Sequence, residues 1–267
     1  MSDTALMAGR RGLVLGVAND HSIAWGIACA AAAHGAELGF TFQGEEFQRR
    51  VLPLAESIGS TIVLPCDVAA DASIDAVFAA LADAWGGLDF VVHSIAYSEK
   101  EELTGQYLDT SRGNFARTLD ISCYSFTAIA RRAAPMMKSG GSLLTLTYSG
   151  SQRVMPNYNV MGVAKAALEA SVRYLAVDLG SRNIRVNALS AGPMRTLAGS
   201  AVGGARQVYK WNAEYSPLRR NTQFDDVGGA AVYLLSDLSG GVTGEVMHVD
   251  SGYNIVGVPD LLRHREG

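Results

Sequence analysis

Seven short apolar runs rich in β-branched and aromatic residues recur along the chain, with helix-length segments between most of them. That alternation constrains the fold more than any other feature. The runs are GLVLG (12–16), ELGFTF (37–42), TIVLP (61–65), LDFVVHSIA (88–96), SLLTLTY (142–148), IRVNALSA (184–191) and GEVMHVD (244–250). Near-continuous apolar strands alternating with helices read as a parallel sheet covered on both faces, because each parallel connection must cross over the sheet. The first intervening segment, SIAWGIACAAAAHG, closes on Gly35 as a helix C-cap. The expected fold class is therefore α/β, a doubly wound Rossmann fold with a seven-stranded parallel sheet.

No linker or internal repeat divides the 267 residues, so positions 1–267 are expected to form one domain. The only long irregular stretch is about 193–217, and long loops in compact domains are usually lids or binding loops. A net charge of -4 gives no pull toward nucleic acid or an anionic membrane surface. The longest apolar run, Ile23 to Ala33, is eleven residues, against roughly 20 for a bilayer span. The first residues lack a hydrophobic signal core, and the expected location is the cytoplasm. Cys29, Cys66 and Cys123 have no metal-ligand spacing and are expected to be reduced core residues, with no metal bound.

In a doubly wound sheet, ligands bind beyond the carboxyl ends of the strands. The first such end places Gly16 at a turn, then Ser22, Ile23 and Gly26 at a helix start, where free N–H groups suit a pyrophosphate. The usual G-x-G-x-x-G is absent, and a plain close-packed turn with Ser22 as N-cap reads equally well. The second end puts Gln43 where an adenosine ribose would lie; Glu45 and Glu46 beside it would repel a 2′-phosphate. At the third, Asp67 and Val68 can flank an adenine, unless Asp67 only caps the next helix. The fourth brings Ser94, Ile95 and Ala96 beside the middle of a dinucleotide; His93 within the apolar run reads as a core histidine.

The stretch YNVMGVAK sets Tyr158 and Lys165 seven positions apart in what reads as a helix. At 3.6 residues per turn the two share a face about 10.5 Å apart, one turn further than an i, i+4 pair. A nearby ammonium is expected to favour the ionised tyrosine and make it a usable proton or hydrogen-bond donor near neutral pH.

These features together resemble the short-chain dehydrogenase/reductases, whose common form has its lysine four after the tyrosine; here that position is Gly162. The spacing Tyr-x6-Lys, with GVANDHSIAWGIA, HSIA, LTLTY, RVNALSAGPMRTLA and SDLSGGVTGEVMHVDSGY, is similar to the enoyl-acyl-carrier-protein reductases. Those are NADH-dependent enzymes of type II fatty-acid synthesis. The resemblance runs from about Gly9 to Asn254. It implies that Tyr158 bonds the enolate oxygen, that Lys165 holds the ribose hydroxyls, and that Tyr148 is a second active-site tyrosine. It further implies NADH contacts at Gly16, Ser22, Ile23, Gln43, Asp67, Val68 and Ile95, and at Met194, Arg195, Thr196, Leu197 and Ala198. Ser98 falls at a substrate-side position.

A chemical reason for the spacing accompanies the resemblance. In an enoyl reductase hydride goes to the β-carbon and charge develops on an oxygen two carbons away, so the hydroxyl that meets it must stand further back. The segment after Thr196 resembles the family's substrate-binding loop and helices, with Arg206 and Lys210 facing an acidic carrier protein; Gly203 and Gln207 stand where lysines are frequent, and Ser149 and Ser151 where larger or apolar residues are common. A homotetramer is implied, with the C-terminal VGVPDLLRHREG able to pack on a neighbour. Two other readings stay open: a keto or alcohol dehydrogenase of the same fold, and a non-catalytic dinucleotide-binding module.

Overall fold

In the computed structural model, which describes residues 5–200 and 203–258, seven strands form one sheet, every neighbouring pair parallel. In chain order the elements begin β1 (Arg11–Leu15), α1 (Ile23–Ala33), β2 (Glu37–Phe42), α2 (Glu45–Ser57), β3 (Ile62–Pro65), α3 (Asp71–Trp85) and β4 (Phe90–His93). They continue α4 (Arg112–Leu119), α5 (Ser125–Ala133), β5 (Gly141–Thr147), α6 (Asn159–Gly180) and β6 (Ile184–Ala191). The last are α7 (Leu197–Ser200), α8 (Ala205–Tyr215), α9 (Phe224–Leu235) and β7 (Val246–Val249). The strand order is β3-β2-β1-β4-β5-β6-β7. All seven sequence-predicted strands are present, with ends shifted by a few residues.

Alternating strand residues build the two faces. Leu13, Leu15, Val91 and Leu143 point to one side, where Ile74 and Leu81 of α3, Phe126 of α5 and Leu168 and Val172 of α6 cover them. Val14, Phe40, Val92 and Leu144 point to the other, against Ile27 of α1, Val51 of α2 and Val227 and Leu234 of α9. Burying both faces removes the edges' neighbours from water along most of the sheet, which is why the strands read as continuous apolar runs.

The chain reverses winding between β1 and β4, and the crevice opens there. Gly16 ends β1 at φ +95°, and a Cβ on it would lie 2.0 Å from the Ser94 carbonyl oxygen. The two strand ends therefore meet backbone to backbone, which only glycine permits. His93, the last residue of β4, is fully buried between Thr145 Oγ1 at 3.0 Å and Ser125 Oγ at 2.8 Å. Burial, and next the charge of Lys165, pull it down to about 3, so it is a neutral core residue as its surroundings in the sequence imply.

Gly16→Ala is expected to destabilise the chain by roughly 2 kcal/mol or more in urea unfolding, since it combines a clash with a left-handed backbone; a loss under about 0.5 kcal/mol would show that the two strand ends can part.

Candidate active site

Three walls meet beyond the carboxyl ends of β4 and β5: the end of β5 with its turn, the start of α6, and the segment after β6. Tyr148 follows β5 directly, in extended backbone at φ −150°. A 3₁₀ turn, Ser149–Ser151, then folds the chain back, with the Ser151 N–H donating to the Tyr148 carbonyl at 2.9 Å. The rings of Tyr148 and Tyr158 meet edge to face with centroids 5.3 Å apart.

Tyr158 corrects one expectation. It is not inside a helix but at the N-cap position, and α6 begins at Asn159. Its neighbours Asn157 and Asn159 have φ of 59° and 35°, left-handed values that asparagine tolerates better than most residues. Asn157 Nδ2 donates to the Gly203 carbonyl at 2.9 Å, and Asn159 Nδ2 to the Glu102 carbonyl at 3.1 Å. The two asparagines thus tie the backbone on either side of the tyrosine to the segment before α8 and to the segment after β4.

Electrostatics correct a second. Lys165 is buried, and its Nζ donates to the Leu146 carbonyl at 2.8 Å. Burial pulls its ammonium down to about 8, against the opposing influence of Cys123 and Glu169. Tyr158 moves up, not down: burial raises its phenol well above the ordinary range, and Tyr148 and Glu169 push the same way. Burial, not an ammonium, sets the tyrosine's ionisation, and the Lys165 ammonium is engaged by a strand carbonyl. Near neutral pH Tyr158 is therefore a neutral phenol, with its proton in place. Tyr148 is raised as well, chiefly by burial.

Gly162, four after Tyr158, is closed off: a Cβ there would lie 2.7 Å from the Gly150 carbonyl oxygen. Gly150 in turn sits against Tyr158, where an added Cβ would be 2.4 Å from the ring. The turn after β5 rests directly on the start of α6.

The dinucleotide candidates follow the carboxyl ends of β1 to β4. Ser22 holds the N-cap position of α1, but its hydroxyl does not cap the helix; it accepts from the N–H groups of Ala18 at 2.9 Å and Asn19 at 3.0 Å. Ser22 thus shapes the turn, and the first N–H groups of α1, beginning with Ile23, are left without a side-chain cap. Gln43 is exposed at the end of β2, and Glu45 and Glu46 beside it pair with Arg49 and Arg50. Asp67 does not cap α3, whose N-cap is Ala70; its carboxylate accepts from the Ala69 N–H at 3.0 Å. Val68 and Ile95 pack half-buried on the core beside it. Ser98 shares hydrogen bonds with buried Asn114, at 3.3 Å to Oδ1 and 3.2 Å to Nδ2.

The segment after β6 holds Met194 packed on the core, and Arg195, whose guanidinium lies 4.8 Å from the Tyr209 ring centroid. Thr196 Oγ1 accepts from the Gly199 N–H at 2.9 Å, steadying α7. Leu197 opens α7 and is exposed; Ala198 follows within it, its side chain outside the described residues. The expected loop is thus largely helical, α7 and α8 with the residues joining them. Of VGVPDLLRHREG, residues 259–267 lie outside the described residues. Sequence reasoning missed Asn114, Asn157, Asn159 and Glu169; Glu169 stands four after Lys165, a helical spacing that is the one signal pointing to it.

A doubly wound sheet with two tyrosines and a buried lysine at its carboxyl edge defines a dinucleotide-dependent reductase of the short-chain class. The chain belongs to the enoyl-(acyl carrier protein) reductase family, whose family model matches residues 16–254. It is 64% identical over 256 residues to the enoyl-[acyl-carrier-protein] reductase [NADH] 2 of Rhizobium meliloti, covering 96% of each chain. It is 55% identical to the corresponding [NADH] enzyme of Rickettsia felis, covering 95% of this chain and 98% of that one. Among solved structures, the reductase of Anaplasma phagocytophilum in complex with NAD superposes with a TM-score of 0.93 at 59% identity, covering 96% of this chain and 98% of that one.

The folded chain holds Lys165 less basic than the unfolded chain, so unfolding takes up a proton between pH about 8 and the ordinary lysine value of 10.5. The penalty is complete below pH 8 and fades as pH rises through that window. Comparing urea unfolding of the cofactor-free parent with Lys165→Met at pH 7 and pH 9.5, the difference should move in the parent's favour, by on the order of 1–2 kcal/mol. Movement in the variant's favour would contradict the buried, depressed ammonium.

Proposed function

We propose that this chain, acting as a single catalytic domain, reduces the trans-2 double bond of enoyl-acyl-carrier-protein thioesters with NADH, in fatty-acid biosynthesis. The observation that carries this reading is that Tyr158 and Lys165, seven residues apart, are both buried, while the position four residues on is sterically shut at Gly162. A keto reductase of the common form needs a lysine there, and no side chain fits. The non-catalytic reading leaves unexplained why a buried tyrosine, a half-buried one and a buried ammonium gather at the carboxyl end of β5.

The residues fit a dinucleotide by the backbone contact at Gly16, the uncapped start of α1, and the half-buried Asp67, Val68 and Ile95. NADH, when bound, supplies a hydride for the β-carbon. Lys165, with one ammonium proton on the Leu146 carbonyl, has others to donate to ribose hydroxyls. Tyr158, kept protonated by burial, donates to the thioester oxygen on which negative charge develops, and so stabilises the enolate. A proton from solvent completes the saturated product at the α-carbon. Tyr148 would face the substrate beside it, and the segment from Met194 to Ala198 would hold the cofactor when it is bound. Glu45 and Glu46 disfavour the extra phosphate of NADPH.

Arg206 and Lys210 are exposed one turn apart on α8 and offer a positive face to an acidic carrier protein. On α6, Tyr174 and Val177 are 77% and 81% exposed, and Phe115 and Tyr124 add apolar surface, which supports assembly into a homotetramer. Among the described residues no helix is long and apolar enough to cross a membrane; the proposed location is the cytoplasm.

The test is NADH oxidation with enoyl thioesters on carrier protein and on coenzyme A, with NADPH and a 3-oxoacyl thioester as controls. Enoyl turnover with NADH is expected, and turnover confined to the 3-oxoacyl control would overturn the proposal. Tyr158→Phe should retain NADH affinity while kcat falls roughly a hundredfold. Unchanged turnover would remove the assigned role.

A further inference from the structure

We infer that Glu169 is a positioning residue for the reaction: its carboxylate clamps the turn that carries Tyr148 onto the helix that carries Lys165 and follows Tyr158. The inference rests on the reading of Tyr148 as a substrate-side group. Glu169 lies on α6 four after Lys165, on the same face, and is only 6% exposed. A carboxylate taken out of water is costly unless its oxygens are bonded. Its Oε1 accepts from Thr147 Oγ1 at 2.7 Å and from Ser151 Oγ at 2.5 Å.

Those two residues bracket Tyr148. Thr147 is the last residue of β5, immediately before it, and Ser151 ends the turn after it, its N–H already bonded to the Tyr148 carbonyl. Both ends of the turn are therefore held by one oxygen of one side chain, and its middle, at Gly150, rests on Tyr158 and Gly162. Because an ionised carboxylate only accepts, both hydroxyls must point at it, so the turn is fixed in direction as well as in place. A side chain that merely filled the space would leave the turn free to slide along α6. The Tyr148 ring, which meets Tyr158 edge to face, would slide with it, and displacements of about 1 Å are enough to cost large factors in rate.

Both hydrogen bonds end on the same oxygen, so the amide oxygen of Glu169→Gln can accept both, whereas Glu169→Ala loses both. With enoyl thioester as substrate, Glu169→Ala should lower kcat roughly tenfold or more while the Kd for NADH stays within about twofold, and Glu169→Gln should recover to within about threefold of the parent. Combined with Tyr148→Phe, Glu169→Ala should cost little further, because its effect passes through Tyr148. A parental kcat in Glu169→Ala, or losses that multiply in the double variant, would overturn the inference. Should Glu169→Ala fail to fold, Thr147→Val and Ser151→Ala each remove one donor; parental kcat in both is equally fatal. A parental kcat in Tyr148→Phe alone removes instead the reading of Tyr148, and this route from Glu169 with it.

Discussion

The site depends on one buried seam, where the carboxyl end of β5 meets α6. Three successive residues of the strand and its exit take part: Leu146 offers its carbonyl to the Lys165 ammonium, Thr147 its hydroxyl to Glu169, and Tyr148 its ring to Tyr158. Taking an ammonium and a carboxylate out of water costs several kcal/mol each before compensation. The seam survives because it lies beside a large apolar core, with Phe126, Leu143, Leu168 and Val172 fully buried on the same face of the sheet. Hydrophobic burial there holds α6 against β5 whether or not the polar seam is favourable by itself.

What this arrangement secures is a controlled charge. His93 lies close enough to feel the Lys165 ammonium, yet it stays neutral, because burial and the lysine both oppose its protonation. Tyr158 stays a neutral phenol for a related reason. Desolvation, the same force that weakens the lysine as a base, weakens the tyrosine as an acid. The phenols and the imidazole at this end of the sheet thus remain neutral near pH 7, and the rings carry no anion.

The strands and layers were legible in the sequence because burial on both faces demands uninterrupted runs such as IRVNALSA, and little but a parallel sheet demands that. Strand ends also pointed to the crevice, since Gly16 and Ile95 mark where chains part. The start of α6 was not legible. Its periodicity runs smoothly back through Tyr158, and the positive φ at Asn157 and Asn159 arises from hydrogen bonds to Gly203 and Glu102, residues some fifty positions away. The tyrosine's ionisation was misjudged because pattern reveals proximity of an ammonium but not the strand carbonyl that engages it. Glu169 escaped notice because a glutamate in a long helix ordinarily faces water, and nothing local shows that two hydroxyls across the fold await it. Asp67 and Ser22 were recognised as strand-end polar groups, while the direction of their bonds, toward Ala69 and toward Ala18 and Asn19, emerges only in three dimensions.

The contact between Gly150 and Gly162 sets what the turn can carry. A side chain at 162 would collide with the Gly150 carbonyl, and one at 150 with the Tyr158 ring, so both positions are shut along the same seam. Replacing residue 150 does not open 162, because the obstacle there is a backbone carbonyl and not a side chain. A lysine four after the tyrosine therefore requires the turn to be rebuilt, and the seven-residue spacing is held by backbone geometry as well as by side chains.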